Sequence, residues 1–470
     1  MTGNRIAFAA FAMLAACSLA PEYQRPEIAV PENYKEAGNW LPARPETAEA
    51  NRGPWWQEYK DADLNALEDK VSTANQDLKA ALARYEQARA AAAVARAGYF
   101  PTITADANAG RQRLSHNAVN VSATPLYNDF LMAADLSYEI DIWGRVRNMV
   151  AAGENRAAAS KADLAAMDLS LHAELAMDYF ALRGQDATQI IADETVADYQ
   201  KALELTKARH KGGAAAEADV DQAETQLENA KTLAADTWLK RAQLEHAIAV
   251  LVGEAPSNFS LPPKKADIAL APIIPGIPSK LLEQRPDIAA AELRVQAANA
   301  DIGVARAAYF PDFSLDAAVG LESAMASKLL QAPSLFWSIG PSATLTLLDG
   351  GKIAALSAEA HAAYDESVAN YRQTVLTAFQ QVEDSLVALR QLTEENNTQS
   401  AAAAAAERAL AQARNRYSGG IATYIDVVVA ENTALQAELG KVDISTRRLT
   451  ASVLLVKAIG GGWRKGSPSK

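Results

Sequence analysis

Long helical patterns alternate with short strand-like patterns along this chain of 470 residues. Residues 62–98 and 214–252 have the composition of helices. Between them, residues 145–211 contain no proline and carry an apolar stripe at helical spacing. This middle stretch predicts a single helix of 67 residues, or ~100 Å. A helix of that length exceeds an ordinary globular domain and is typical of a coiled coil or a helical barrel.

Two segments ahead of the long helix change to a period of two. Polar and apolar residues alternate over 102–110 and again over 129–142, which predicts strands with one apolar and one polar face. Each segment has the ~9–11 residues that a tilted strand needs to span a bilayer. After the N-terminus no apolar run is long enough for a membrane helix. If the chain crosses a membrane, it must do so with strands.

The second half of the chain repeats the first. The motif YFP at Tyr99 recurs at Tyr309, and the glycine pair at Gly212 recurs at Gly419. The repeat predicts two further strands and a second 67-residue helix over 352–418. The predicted fold class is α+β, mostly α, with an internal duplication. The predicted segments are an extended N-terminal segment (17–61), repeat 1 (62–252), a Pro-rich linker (253–281), repeat 2 (282–460) and a tail (461–470).

Four long strands with an apolar face and open edges are unstable in water. They cannot close a membrane barrel alone, because the smallest such barrels have about eight strands. The pattern therefore predicts that several chains share one transmembrane β-barrel, continued by an α-helical tube. A different interpretation stays open here, a non-channel periplasmic scaffold of helical hairpins with small sheets.

The N-terminus has the pattern of a secretory signal, predicted over residues 1–16. Arg5 precedes an apolar run, and small residues follow it. The sequence Leu14-Ala15-Ala16-Cys17 resembles a bacterial lipobox, so Cys17 is the predicted site of lipid attachment. Cys17 is the one cysteine of the chain, which excludes an internal disulfide.

Charge and motifs exclude several other functions. The net charge of −12 and pI near 5.1 argue against a nucleic-acid partner. The five histidines show no metal-ligand spacing, and no nucleotide-binding loop or nucleophile elbow stands between a strand and a helix. We predict no catalytic activity, no cofactor and no metal.

The chain resembles the TolC-like outer-membrane efflux factors, in their NodT-type lipoprotein branch. The resemblance rests on the following motifs, in this order inside the duplicated frame: CSLAPEYQRP, YFP, IDIWGRVR, LLEQRPDIAAAE, the second YFP, LLDGGKI and RYSGGIATYIDVVVA. It implies a homotrimer in which four strands from each chain form a 12-stranded barrel, continued by an α-helical barrel in the periplasm. It also implies an outer-membrane, lipid-anchored position.

The implied function is that of a passive exit duct for small molecules in a tripartite efflux system. Its partners would be a periplasmic membrane-fusion adaptor, which opens the periplasmic tip, and an inner-membrane transporter of the RND type. Export of proteins or peptides, as in type I secretion, is the alternative within this class.

The resemblance also assigns roles to residues. Asp426 would line the periplasmic pore constriction, with Asp219 as its equivalent in repeat 1; Val429 stands where some members have a second aspartate. The alternative for Asp426 is a solvated charge at a helix start. The predicted adaptor-contacting tips are Arg209, Gly212, Gly213, Arg416, Tyr417, Gly419 and Gly420, whose glycines could alternatively be plain helix caps. The predicted helix-to-strand joints are Tyr99, Phe100, Pro101, Tyr309, Phe310 and Pro311.

Overall fold

The computed structural model describes residues 18–37, 54–115, 126–264, 270 and 282–463. Cys17 lies outside the described residues. The predicted fold class, α+β and mostly α with an internal duplication, is confirmed, since the same order of elements occurs twice. Repeat 1 consists of α1 (Ala62–Ala74), α2 (Gln76–Ala97), β1 (Thr102–Arg113), β2 (Leu126–Glu139), α3 (Arg145–Lys211) and α4 (Glu217–Leu251). Repeat 2 consists of α5 (Pro286–Ala307), β3 (Asp312–Ser323), β4 (Leu335–Thr344), α6 (Lys352–Ser418) and α7 (Tyr424–Ala458).

The first helical segment is interrupted, which corrects the single helix predicted over residues 62–98. Asn75 adopts an extended backbone between α1 and α2 and caps α2, because its Oδ1 accepts a hydrogen bond from the Leu78 amide at 2.9 Å. Its Nδ2 also donates to the carbonyl of Leu251 at the end of α4, at 2.8 Å. One side chain thus satisfies two helix ends.

In repeat 2 a different residue donates to the carbonyl at the end of the last helix. Arg285 lies 210 positions after Asn75, and its Nη1 donates to the carbonyl of Ala458 at the end of α7, at 3.0 Å. The chain then leaves α4 and α7 through Gly253 and Gly460, both at positive φ. A Cβ at either glycine would lie within 3 Å of a neighbouring backbone carbonyl, so a larger residue does not fit there.

The four strands form one antiparallel sheet in the order β1-β2-β3-β4. Its register places apolar residues opposite one another across all four strands: Ile103 pairs with Leu136, Leu136 with Ala317, and Ala317 with Ile339. The neighbouring row, one residue on, is polar and contains Thr102, Ser137 and Asp316. The sheet therefore has one apolar and one polar face, as the period of two predicts. The apolar face is exposed in the single chain; Trp337, for example, is 72% accessible.

The described residues form two compact units. One contains residues up to Glu27, Arg84–Lys161 and Ala290–Arg372, and includes the whole sheet. The other contains Ile28–Ala83, Ala162–Ala289 and residues from Gln373 onwards, and includes both helical hairpin turns. Among the described residues, no helix has an apolar stretch long enough to cross a membrane.

Candidate functional site at the helical hairpin tips

Two helical hairpin turns, 207 residues apart, have the same backbone. We call the turn between α3 and α4 tip 1 and the turn between α6 and α7 tip 2. Gly213 and Gly420 both have φ of +74°. In tip 1 the Ala214 amide donates to Arg209 O at 2.8 Å; in tip 2 the Ile421 amide donates to Arg416 O at 2.9 Å. The Gly213 amide also donates to His210 O at 2.9 Å and the Gly420 amide to Tyr417 O at 3.0 Å, which completes a Schellman turn at each tip.

The helix that leaves each tip starts with an aspartate that caps it. Asp219 Oδ2 accepts a hydrogen bond from the Ala216 amide at 3.1 Å. Asp426 Oδ2 accepts from the Thr423 amide at 2.9 Å and also from the Thr423 hydroxyl at 2.7 Å. Both carboxylates therefore reach back to the residue before their helix, which satisfies an otherwise unpaired amide.

The two aspartates differ in exposure and charge environment. Asp426 is exposed, whereas Asp219 is half-buried. The side-chain and backbone hydrogen bonds from Thr423, with the nearby charge of Arg416, lower the pKa of Asp426. Asp426 is thus a fixed negative charge on the surface of tip 2. Both cap hydrogen bonds go to Oδ2, and a pore-lining role for Asp426 stays a prediction.

A buried cluster joins the two hairpins just behind the tips. From tip 2 come Tyr417, Tyr424, Val427 and Val428, and from repeat 1 come Tyr199, Leu203 and Leu227 with two alanines. The rings of Tyr417 and Tyr424 are 5.5 Å apart between centroids. Residues from both repeats therefore form one small core, and separating the hairpins would expose it to water.

Arg209 of tip 1 holds Tyr417 of tip 2 in two ways. Its Nη1 donates to the Tyr417 carbonyl at 3.0 Å, and its guanidinium lies 4.4 Å from the centroid of the Tyr417 ring. A cation over an aromatic face stabilises by about 0.5–2 kcal/mol, depending on desolvation. Arg416, the equivalent of Arg209 in tip 2, is exposed. The contact is thus asymmetric between the repeats.

An ion-pair cluster forms a second contact between the hairpins. Arg414 of α6 pairs with Asp198 of α3 at 3.1 Å and with Glu431 of α7 at 3.1 Å. Glu431 is buried, and its burial raises its pKa despite the hydrogen bond from Arg414. We call the Arg209–Tyr417 contact and the Arg414–Asp198–Glu431 cluster together the tip latch.

The structure separates the predicted tip residues into two groups. Gly212, Gly213, Arg416, Gly419 and Gly420 are exposed and accessible to a partner. Tyr417 is buried and Arg209 covers it, so these two side chains face the neighbouring hairpin in this conformation. An adaptor contact for any of these seven residues stays a prediction.

Several residues of the tip latch and of the buried cluster had no prediction from the sequence: Asp198, Tyr199, Arg414, Tyr424 and Glu431. Tyr424 lies inside the motif RYSGGIATYIDVVVA, and Glu431 follows that motif directly. Asp198 offers no comparable signal, because its contact depends on how α3 packs against α6.

The YFP motifs lie between a helix and a strand in both repeats. Tyr99, Phe100 and Pro101 connect α2 to β1, and residues 309–311 connect α5 to β3. In the second joint Trp143 stacks on Phe310 at 4.7 Å between centroids, and its indole nitrogen donates to Pro311 O at 2.8 Å. These aromatic residues of the two joints therefore lie at the end of the sheet where β1 and β3 begin and where β2 and β4 end.

Comparison with known proteins decides the family. The model of the outer membrane efflux protein family matches this chain twice, over residues 68–254 and 277–461. The chain belongs to this family. The two matches also coincide with the two repeats.

Relatives agree over nearly the full length. The chain is 33% identical to the outer membrane protein OprJ of Pseudomonas aeruginosa over 456 residues, covering 96% of this chain and 94% of OprJ. It is 30% identical to the probable efflux pump outer membrane protein TtgC of Pseudomonas putida, covering 98% and 96%. Among solved structures, the CmeC outer membrane channel of Campylobacter jejuni aligns with a TM-score of 0.87 at 27% identity, covering 96% of each chain.

The acidic and histidine side chains do not gather into a metal site in the part of the chain that the structure describes. The carboxylates of the tips are engaged in caps and ion pairs instead.

Proposed function

We propose that this protein is the outer-membrane channel of a tripartite efflux system, a passive conduit for small molecules that a periplasmic adaptor opens at the tips. The observation that carries the proposal is the two-faced sheet. Its apolar face is exposed along all four strands of the single chain, and its polar face is aligned in register. An apolar face of this extent is stable only against lipid or protein.

The proposed assembly is a trimer. The four strands have two open edges, β1 and β4, that pairing with other copies would satisfy. Three copies give 12 strands, which is above the minimum for a closed transmembrane barrel. The apolar face then contacts lipid and the polar face lines the lumen. The long helices α3 and α6 continue the conduit into the periplasm.

The tip latch is the proposed gate. In the latched conformation, Arg209 and Arg414 hold tip 2 against the hairpin of repeat 1. A partner that binds the exposed residues Arg416, Gly419 and Gly420 could favour a conformation in which Tyr417 is released. Binding shifts such an equilibrium only by its difference in affinity between the two conformations. Asp426 is exposed beside these residues, and in the proposed trimer each copy would contribute one such carboxylate to a ring at the mouth.

The lipid anchor is proposed at Cys17, by analogy with the family and from its neighbour. Ser18 is fixed beside the start of α3, where its hydroxyl donates to Asn148 Oδ1 at 3.0 Å. The following residues are also held, since Asn299 donates to Pro21 O at 2.8 Å. We propose that an acyl chain on Cys17 anchors this N-terminal segment at the outer membrane. We propose no catalytic activity for the chain.

The test is electrical. The mature protein, purified from detergent-extracted membranes, is added to planar lipid bilayers, and Asp426→Ala is compared with wild type. Discrete conductance steps from a species of trimer mass are expected, with altered steps for the variant. Absence of conductance from both proteins, together with a water-soluble monomer in sedimentation, would instead support the periplasmic scaffold.

A further inference from the structure

The loop between β3 and β4, residues 324–334, exposes apolar side chains in the single chain. Leu330 is 79% accessible, and Met325 is more than half accessible, as is Leu335 where β4 begins. The loop contains one charged side chain, Lys328. Exposed apolar patches of this kind indicate a surface that contacts a partner or a membrane.

The loop satisfies several of its backbone polar groups internally. It contains two short 3-10 turns, one before and one after Leu330. The Lys328 amide donates to Met325 O at 3.0 Å, and the Ser334 amide donates to Gln331 O at 2.9 Å. The Ser334 hydroxyl donates to Lys328 O at 2.8 Å. A segment that makes its own hydrogen bonds loses less when it leaves water for the boundary of a bilayer.

The length of β3 places the loop near the bilayer surface. This strand has 12 residues. At ~3.4 Å per residue and a tilt of about 45°, it spans roughly 30 Å, which equals the thickness of the hydrocarbon core. The second 3-10 turn lies against β3, so the loop stays close to the sheet. The chain therefore remains near the bilayer surface after β3 ends.

The apolar face of the sheet reaches this loop. Leu335 begins β4 opposite Leu321, and Leu321 lies opposite Met132 on β2. Trp337, two residues further along β4, is on the same face. This face contacts lipid in the closed barrel. The exposed apolar residues of the loop thus continue a lipid-facing surface.

From these observations we infer that the β3–β4 loop docks on the bilayer, with Leu330 at the level of the lipid headgroups and Lys328 against their phosphates. The inference rests on the proposed function, because the sheet contacts lipid only when copies of the chain close the barrel. A lysine can keep its ammonium among anionic headgroups while its methylene stem lies along apolar surface. The loop would then fix the depth of the sheet at the end opposite to the YFP joints.

The experiment places a fluorophore at three positions of the full mature protein. Leu330→Cys lies in the loop, Ile339→Cys on the apolar face and Ser338→Cys on the polar face. Each variant is labelled with an environment-sensitive probe, and the wild type reports any labelling of Cys17. The proteins are reconstituted in vesicles of phosphatidylethanolamine and phosphatidylglycerol. The vesicles contain lipids that carry a quenching nitroxide either at the headgroup or near the end of the acyl chain.

The three labels should respond differently. The Leu330 label should lose fluorescence mainly to the headgroup nitroxide, the Ile339 label mainly to the acyl-chain nitroxide, and the Ser338 label to neither. A Leu330 label that behaves like the Ser338 label, while the Ile339 label is quenched, would overturn the inference and leave the proposed function intact. If the Ile339 label is not quenched either, the sheet does not contact lipid, and the proposed function fails together with the inference.

A charge reversal tests the lysine separately. In the Leu330→Cys protein, Lys328→Glu should reduce quenching by the headgroup nitroxide in vesicles that contain phosphatidylglycerol, because the glutamate is repelled by anionic lipid. Lys352→Glu makes the same charge change at the other end of the sheet, where α6 begins, and should have no effect. Equal loss of quenching in both variants would overturn the contact between Lys328 and the headgroups.

Discussion

The two hairpin tips share one backbone conformation but differ in their side chains. Gly213 and Gly420 share the same positive φ, and each tip closes with the same Schellman bonds. The side chains at equivalent positions differ: tip 2 has Tyr417 and Tyr424 in a buried cluster, whereas tip 1 has His210 and Glu217, which are exposed. The two repeats therefore share the turn, but the buried tyrosines occur in tip 2 alone.

The ion pairs show the same asymmetry. Arg414 and Glu431 correspond to Lys207 and Glu224 in repeat 1, both exposed. The half-buried cluster of Arg414 is thus specific to tip 2 and joins it to α3 through Asp198. Tip 2 is thus joined to the hairpin of repeat 1 through side chains whose equivalents in tip 1 are exposed.

The largest expected effect is the removal of the Tyr417 ring. Tyr417→Ala should lower the free energy of local opening at the tips by about 3 kcal/mol, because a buried aromatic and its contact with Arg209 are lost. Hydrogen exchange of the amides around residues 196–230 and 414–431, followed by mass spectrometry, measures this opening.

Tyr417→Phe serves as the control. The Tyr417 hydroxyl is buried and has no hydrogen-bond partner among the described residues. The phenylalanine variant should therefore exchange as slowly as wild type or more slowly. Fast exchange in Tyr417→Phe would show that the hydroxyl, and not the ring, carries the stability.

The next effect concerns the ion pairs. Arg414→Ala leaves the buried Glu431 without its cation and should lower the free energy of local opening by about 2 kcal/mol. This is less than the loss for a fully buried pair, because Arg414 is 41% exposed. Lys207→Ala, at the equivalent exposed position, should have an effect below about 0.5 kcal/mol. Equal effects in the same exchange experiment would contradict the asymmetry.

Substitution of the positive-φ glycine should lower thermal stability equally in the two tips. Gly213→Ala and Gly420→Ala each force a left-handed backbone on a residue with a Cβ, which costs about 1–2 kcal/mol. A Cβ at either position would meet no atom within 4 Å, so strain is the whole effect. Similar losses in thermal stability are expected. A loss confined to one variant would show that the two backbones are not equivalent in solution.

The smallest effect is a dependence on pH. Burial raises the pKa of Glu431 in the latched conformation above the value it has when exposed. Protonation therefore favours the latched state, and the stability gained from it is lost as the pH rises through the raised pKa. Slower tip exchange is expected at mildly acidic pH after correction for the intrinsic exchange rate. Glu431→Gln should remove this dependence; a dependence that persists would point to another group.

The turns, joints and strands of the fold could be predicted from the sequence because their determinants are local. Glycine at a helix end, proline after YFP and alternation of polarity predict the tips, the joints and the strands without tertiary information. The same local reasoning missed the break at Asn75, whose side-chain amide also donates to the carbonyl of Leu251, 176 residues away.

The tip latch could not be predicted from the sequence, because it depends on tertiary packing. Arg209 and Tyr417 are 208 residues apart, and only the packing of α3 against the second hairpin brings them together. The motif around Arg416 suggested a surface for a partner, and its exposed residues are consistent with that role. The inward position of the Tyr417 side chain follows instead from Tyr199, Leu203 and Leu227, which no periodicity connects to it.

The most direct test of this asymmetry compares Arg209→Ala with Arg416→Ala in single-channel recordings. The two arginines occupy equivalent positions, yet only Arg209 contacts the carbonyl and ring of Tyr417. Losing this contact costs the latched state about 1–2 kcal/mol, which corresponds to a rise of roughly 5–30-fold in the ratio of open to closed tips. Arg209→Ala should therefore open the channel more often, while Arg416→Ala behaves as wild type. Equal opening in both variants, or opening in Arg416→Ala alone, would contradict the latch.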